Sequence, residues 1–212
     1  MPRLPARPFL YPIVDVAALG PRTVAEAVGA LVRGGARVVQ LRAKEVEDAR
    51  LVTLAREALQ AARAGGALFI VNDRPDVARI VGADGVHVGQ DDVHPGDARR
   101  LLGPEALVGV STHDLRQLET AAAAPVDYVA FGPIFPTRGK AAPDPVVGLE
   151  LLRRARALTG RPLVAIGGIT RATAVEVAAA GADGLAVISD LLAAPDLEAA
   201  AREFIAALVA GP

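Results

Sequence analysis

The chain has 212 residues, with 23 basic and 24 acidic side chains, a formal net charge of −1 and no cysteine. Without cysteine there are no disulfides, no thiolate nucleophile and none of the usual Cys-containing zinc sites. Interspersed charge, two Tyr, five Phe and no Trp supply neither the basic footprint nor the stacking surface of a nucleic-acid or anionic-membrane partner. The first residues, Met1-Pro-Arg-Leu-Pro-Ala-Arg-Pro8, lack a signal-peptide core and no apolar run approaches membrane-spanning length, so a cytoplasmic protein is expected.

Short, β-branched, nearly continuous apolar runs alternate with amphipathic stretches along the whole chain. Phe9–Val14 predicts a first strand ending at Asp15. Thr23 then offers an N-cap to a helix whose face carries Val24, Val28, Leu31 and Val32, and Gly34-Gly35 ends it. Val38–Leu41 leads into Gln40-Leu-Arg42-Ala-Lys44, followed by a helical face of Leu51, Leu54, Ala55, Ala58 and Ala62 that stops at Gly65-Gly66. The third run, Leu68–Val71, ends in Asn72-Asp73-Arg74, and the fourth, Gly85–Val88, ends in Gly89-Gln90-Asp91-Asp92. After Gly103-Pro104, Leu107–Val110 runs into Ser111-Thr112-His113, with Asp114 as the next N-cap. Tyr128–Phe131 opens a loop from Gly132 through Thr137 to Lys140. Leu163–Ile166, after Gly160, ends in Gly167-Gly168-Ile169, and Gly184–Ile188, after Gly181, ends in Ser189-Asp190. A last helix places Leu197, Ala201, Phe204, Ile205 and Leu208 on one side. Gly34-Gly35, Gly65-Gly66, Gly103, Gly160 and Gly181 sit where left-handed helix ends are wanted before the next strand.

Strict strand–helix alternation implies right-handed crossovers and a parallel sheet, buried on both faces. Eight runs favour an α/β protein with one (β/α)₈ TIM barrel and a closed eight-stranded parallel sheet, a single domain over residues 1–212. Gly82-Ala83-Asp84-Gly85 recurs as Gly181-Ala182-Asp183-Gly184, which puts like turns half a barrel apart. In such a barrel the polar residues that follow the strands meet at one mouth.

Two chemical themes follow. Gly167-Gly168 opens the seventh helix and Ile188-Ser189 the eighth, in the loops where barrels bind phosphate through glycine backbone and helix-start N–H groups; tight turns alone would also use these glycines. Asp73 and Asp92 end adjacent strands, within reach of one Mg²⁺ that would keep waters and phosphate oxygens. Arg42, Lys44 and Lys140 add positive charge for a diphosphate, although ordinary rim salt bridges would use the same residue types. Neither His87, inside the fourth strand, nor the loop residues His94 and His113 show zinc-pair spacing. His87 reads as a satisfied structural residue, and His113 follows the fifth strand closely enough to touch a substrate. Asp91 reads as a loop-holding residue, since its neighbour Asp92 points the other way.

Tyr11-Pro-Ile-Val-Asp15, Val39-Gln-Leu-Arg-Ala-Lys44, Val71-Asn-Asp-Arg74, Ala83-Asp-Gly-Val-His-Val-Gly-Gln-Asp-Asp92, Gly109-Val-Ser111, Gly132-Pro-Ile-Phe-Pro-Thr137, Ala165-Ile-Gly-Gly-Ile169 and Gly181-Ala-Asp-Gly184 together resemble the thiamine phosphate synthase family from about Tyr11 to Ser189. The resemblance implies that Gln40, Arg42, Lys44, Asn72, Ser111 and Lys140 hold a pyrimidine and its diphosphate, and that Asp73 and Asp92 bind Mg²⁺. It implies that Thr137, Gly168, Ile188 and Ser189 hold a thiazole phosphate. Arg42, Lys44, Ser111 and Lys140 would then be catalytic, the diphosphate leaving first and the thiazole nitrogen capturing the pyrimidine-methyl cation. One position departs from the family pattern: Thr-x-Thr-Lys becomes Thr137-Arg138-Gly139-Lys140. The thiazole tautomerase branch shares the barrel and a histidine matching His113, but typically loses the acidic and basic residues kept here. A non-catalytic barrel that binds a thiamine-related phosphate would need the glycine loops without Asp73 and Asp92. The expected partners are the two small phosphorylated substrates, with no nucleic acid or membrane and a homo-oligomer left open.

Overall fold

The computed structural model describes residues 3–137 and 145–210; Lys140 and its neighbours Arg138 and Gly139 lie outside them. Eight strands run β1 (Phe9–Asp15), β2 (Val38–Arg42), β3 (Leu68–Asn72), β4 (Gly85–Val88), β5 (Leu107–Thr112), β6 (Tyr128–Phe131), β7 (Leu163–Ile166) and β8 (Gly184–Val187). They pair in parallel in chain order, and β8 returns to β1 to close the barrel. Each apolar run expected to be a strand is one. Asp15, Arg42, Asn72, Ser111 and Thr112 are drawn into the ladder at its upper end, whereas Ile188 leaves β8.

The outer layer contains α1 (Val24–Arg33), α2 (Asp48–Ala64), α3 (Pro75–Val81), α4 (Pro95–Leu102), α5 (Leu115–Ala123), α6 (Gly148–Leu158), α7 (Ala174–Ala179), α8 (Ser189–Leu192) and α9 (Leu197–Ala210). Thr23 starts α1 with a reciprocal capping box to Glu26, and Asp114 accepts the Gln117 N–H at the start of α5. Gly35, Gly66, Gly82, Gly103 and Gly181 have positive φ. Gly160 does not: α6 ends on extended Thr159, whose hydroxyl accepts the Arg161 N–H at 3.0 Å. No helix among the described residues is long and apolar enough to cross a membrane.

Alternation along each strand divides the apolar residues into two cores. Leu10, Val14, Val39, Leu41 and Val71 face the helices. Phe9, Tyr11, Ile13, Val38, Ile70, Leu107, Tyr128 and Val164 fill the barrel interior. A Cβ at Gly109 would lie 2.0 Å from the Tyr128 ring, so glycine at this strand position is what admits that ring to the interior.

Carboxylates clamp the lower end of the barrel. In the two recurring turns, Asp84 accepts the Phe69 N–H and Asp183 the Leu163 N–H, both at 2.8 Å. Asp127 before β6 does the same for Val108 at 2.7 Å, a third copy that the sequence repeat does not reveal because Pro125-Val126 replaces Gly-Ala. Asp183 is buried and also receives Arg156 at 2.7 Å and Arg7 at 3.0 Å. Removing it strands a buried N–H and two arginines. Asp183→Ala is expected to lower unfolding free energy by about 2–3 kcal/mol, read as a shift in the urea midpoint at unchanged slope. A midpoint like that of the unmutated protein would contradict the clamp.

Candidate active site

The upper strand ends bring most of the expected polar residues together. On β1 and β2, paired in register, Asp15 accepts a hydrogen bond from the Arg42 guanidinium. Asp15 also accepts the Ala17 N–H at 3.1 Å, which fixes the carboxylate that in turn fixes Arg42. Two residues on, Lys44 Nζ lies 3.1 Å from an Asp73 oxygen.

Asp73 is the one non-glycine residue with positive φ (62°) among the described residues. Asp tolerates this left-handed conformation better than most residues, and such departures concentrate at functional sites. Its N–H donates to the His87 carbonyl at 2.7 Å, extending the β3–β4 ladder before the chain turns into α3. The turn leaves the Asp73 carboxyl in hydrogen-bonding reach of Asp92 as well as Lys44, and its pKa is pushed up to about 6, first by burial and then by Asp92, with Lys44 opposing. Asp92 accepts the Gly89 N–H at 2.7 Å and is half-buried, whereas Asp91 is exposed. Loop holding, expected of Asp91, therefore falls to Asp92. Among the described residues no three His, Cys, Asp or Glu side chains cluster as a metal cage, so a cation here would have two protein carboxylates. That donor set suits Mg²⁺, a hard ion that retains water and phosphate oxygens.

A second group of residues runs through the barrel itself. Gln40 Nε2 donates to the Tyr11 hydroxyl at 3.1 Å. The hydroxyls of Tyr11 and Tyr128 are 2.8 Å apart, the Tyr128 hydroxyl is 3.1 Å from His87 Nδ1, and His87 Nε2 is 2.9 Å from Ser111 Oγ. The Tyr128 and His87 rings stack, with centroids 5.5 Å apart. Burial lowers the His87 pKa to about 4 and keeps the ring neutral. His87 is thus the satisfied buried histidine expected, yet it links two residues of the expected site. Neither tyrosine was marked by the sequence, because an inward-facing residue cannot be told from an outward-facing one in a continuous apolar run. Asn72 ends β3 half-buried, opposite His87 in the register.

On the other side, the loops after β6, β7 and β8 meet. Gly167 and Gly168 do not open a helix as expected: α7 begins at Ala174. Their positive φ values and close approach have a packing cause. The Gly167 carbonyl accepts the Phe135 N–H at 3.0 Å, and a Cβ on Gly168 would lie 2.7 Å from both the Phe135 Cβ and the Pro136 carbonyl oxygen. The residues have to be glycine for the two loops to touch. Ile188 and Ser189 do open α8, with Ser189 exposed and its N–H in the first turn, where helical N–H groups have no intrahelical acceptor. Thr137 is half-buried, and Lys140 falls outside the described residues. His113 turns its Nδ1 to the Gly132 carbonyl at 2.7 Å.

A closed barrel that gathers titratable side chains at the carboxyl ends of its strands has the build of an enzyme. A family model for thiamine monophosphate synthase matches residues 10–191. A thiamine-phosphate synthase of Koribacter versatilis is 49% identical over 192 residues, covering 89% of this chain and 90% of that protein. One from Myxococcus xanthus is 43% identical over 217 residues, covering 99% and 95%. Among solved structures, thiamine phosphate pyrophosphorylase from Pyrococcus furiosus matches with a TM-score of 0.87 and 34% identity over 96% of each chain. The chain belongs to the thiamine monophosphate synthase family and is an enzyme of that type.

His87 gives the site a pH signature. Its folded pKa near 4 lies below the ordinary 6.5, so the unfolded chain binds the proton more readily. Its contribution to stability is fully present above about pH 6.5 and is lost as pH falls through 4. Denaturant titrations should show this as on the order of 3 kcal/mol in the difference between the unmutated protein and His87→Gln. Parallel pH profiles for the two would contradict a neutral buried imidazole.

Proposed function

We propose that this chain joins 4-amino-5-hydroxymethyl-2-methylpyrimidine diphosphate to a thiazole phosphate, giving thiamine phosphate and pyrophosphate, with Mg²⁺ held by Asp73 and Asp92. The observation that carries the reading is the Lys44–Asp73–Asp92 cluster. Two partly buried carboxylates raise each other's free energy, and a divalent cation relieves both, while the neighbouring lysine suits an arriving diphosphate. The relatives named as synthases at 43–49% identity support the same substrates.

The roles are those that the family resemblance implies for these residues. Gln40, Asn72 and Ser111 hold the pyrimidine. Arg42, Lys44 and Lys140 meet the diphosphate, Arg42 with the guanidinium N–H groups that Asp15 does not take. When bound at the acidic pair, Mg²⁺ supplies Lewis-acid neutralisation of the departing diphosphate. The bond between the pyrimidine methylene carbon and the diphosphate oxygen breaks with its electron pair going to oxygen, and the thiazole nitrogen donates its pair to the resulting cation. Cationic side chains set in place beforehand lower that barrier without reorganising. Thr137, Gly168, Ile188 and Ser189 hold the thiazole phosphate at a fixed distance, so that capture is effectively intramolecular. Gly139 removes a hydroxyl that the family loop commonly carries, and Thr137 and Lys140 remain on either side of it.

Incubating purified protein with both substrates tests the proposal. Thiamine phosphate should form with Mg²⁺, stop in EDTA and resume on adding the metal back. Asp92→Ala should lower kcat on the order of a hundredfold or more while the far-UV spectrum stays that of a folded barrel. Undiminished turnover in EDTA would contradict the metal assignment. Conversion of a thiazole carboxylate tautomer without coupling would replace the synthase with a tautomerase.

A further inference from the structure

The loops after β7 and β8 are joined by an ion-pair cluster that the chemistry above does not use. The Asp190 carboxylate, in the first turn of α8, accepts the Arg171 backbone N–H and the Arg171 Nε–H, each at 3.2 Å. The same guanidinium donates to Glu203 on α9 at 2.6 Å. Arg171 stands three residues after Gly168, and the turn it belongs to is closed by two threonines. The Thr170 N–H donates to the Thr173 hydroxyl at 3.0 Å, and the Thr173 N–H to the Thr170 carbonyl at 3.1 Å. Behind the loop lies a groove of about 370 Å³, bordered by Ala193, Ala199 and Ala200 and by no large apolar side chain. From that side the ion pairs, and not packing, hold the loop.

Charge gives this arrangement a consequence for the phosphate. Thr137, Gly168, Ile188 and Ser189, assigned to the thiazole phosphate above, are all uncharged, while a phosphate monoester carries about −1.5 to −2 at neutral pH. The residue after Ser189 is an aspartate whose side chain is only 19% exposed. A carboxylate so placed repels the phosphate unless a cation cancels it, and a shielded charge is screened weakly by solvent and salt. We infer that Arg171 is a positioning residue for the thiazole phosphate: it cancels the Asp190 charge and, through Asp190 and Glu203, fixes the loop after β7 against α8 and α9, so that the Gly168 and Ser189 N–H groups keep one spacing. Arg171 acts through these partners and not by contact with the substrate. The inference rests on the phosphate assignment made above.

Titrating thiazole phosphate into ¹⁵N-labelled protein, followed at the Gly168 and Ser189 amides, reads the site without turnover. Arg171→Met should weaken this binding roughly tenfold. Adding Asp190→Asn to Arg171→Met removes the uncancelled carboxylate and should bring binding back to within about threefold of the unmutated protein. In the coupling assay, Arg171→Met should raise KM for thiazole phosphate by the same factor and leave kcat and KM for the pyrimidine diphosphate unchanged. Unchanged affinity in Arg171→Met overturns the inference. So does a double variant that binds no better than the single one, or a KM that rises equally for both substrates, since either marks a merely structural role. Binding at both amides in unmutated protein that forms no thiamine phosphate refutes the coupling reaction, and the affinity comparison still decides the role of Arg171. Thiazole phosphate that shifts neither amide overturns both. Pairs this exposed contribute little to stability; should Arg171→Met nevertheless not fold, Arg171→Gln is read in the same way.

Discussion

Two carboxylates that repel each other are held at the ends of neighbouring strands. Asp73 reaches Asp92 because its backbone takes a left-handed turn directly after β3, anchored by the bond from its N–H to the His87 carbonyl at 2.7 Å. Asp92 is fixed by the Gly89 N–H. Burial and mutual repulsion raise the Asp73 carboxyl to about 6, with only Lys44 opposing. Such an arrangement stores unfavourable electrostatic energy that a bound cation would release, and functional sites commonly hold this kind of local strain against the rest of the fold. The closed barrel is what holds it, because neither strand can move without opening the ladder on its other side.

The interior of the barrel makes the second contribution. A purely apolar filling would pack as well, yet Gln40, Tyr11, Tyr128 and His87 place a polar line through it. No buried side-chain nitrogen or oxygen among the described residues lacks a partner, so the line is fully satisfied, the condition under which a buried polar network specifies one arrangement. The space for it depends on Gly109, whose missing side chain is occupied by the Tyr128 ring. Stability and recognition are in this way divided between the two ends of the barrel. The clamps of Asp84, Asp127 and Asp183 lie below, and the titratable groups lie above.

Much of this was legible in the amino-acid sequence, for physical reasons. Parallel strands buried on both faces are continuous apolar runs, so all eight were found to within two residues, and the polar residues after them fell at one mouth. What periodicity does not encode was missed. Gly167-Gly168 looked like a helix start, but its glycines answer to contacts with Phe135 and Pro136, far away in sequence terms. Asp91 and Asp92 were assigned opposite duties from strand alternation, which no longer holds once β4 has ended at Val88. Spacing allows Arg42 either to meet a diphosphate or to form a rim salt bridge, and its pairing with Asp15 depends on a register between β1 and β2 that spacing does not give. Glycine at 160 permits a left-handed cap, but the chain does not adopt one there, because α6 ends on extended Thr159 instead.

The acidic pair can be examined directly by crystallising the protein with Mn²⁺ and pyrophosphate and collecting anomalous data at the manganese edge. The expected result is a manganese peak shared by the carboxylates of Asp73 and Asp92, with pyrophosphate oxygens completing its coordination next to Lys44. A metal bound elsewhere, or pyrophosphate bound at this mouth with no metal between it and the two aspartates, would contradict the central claim.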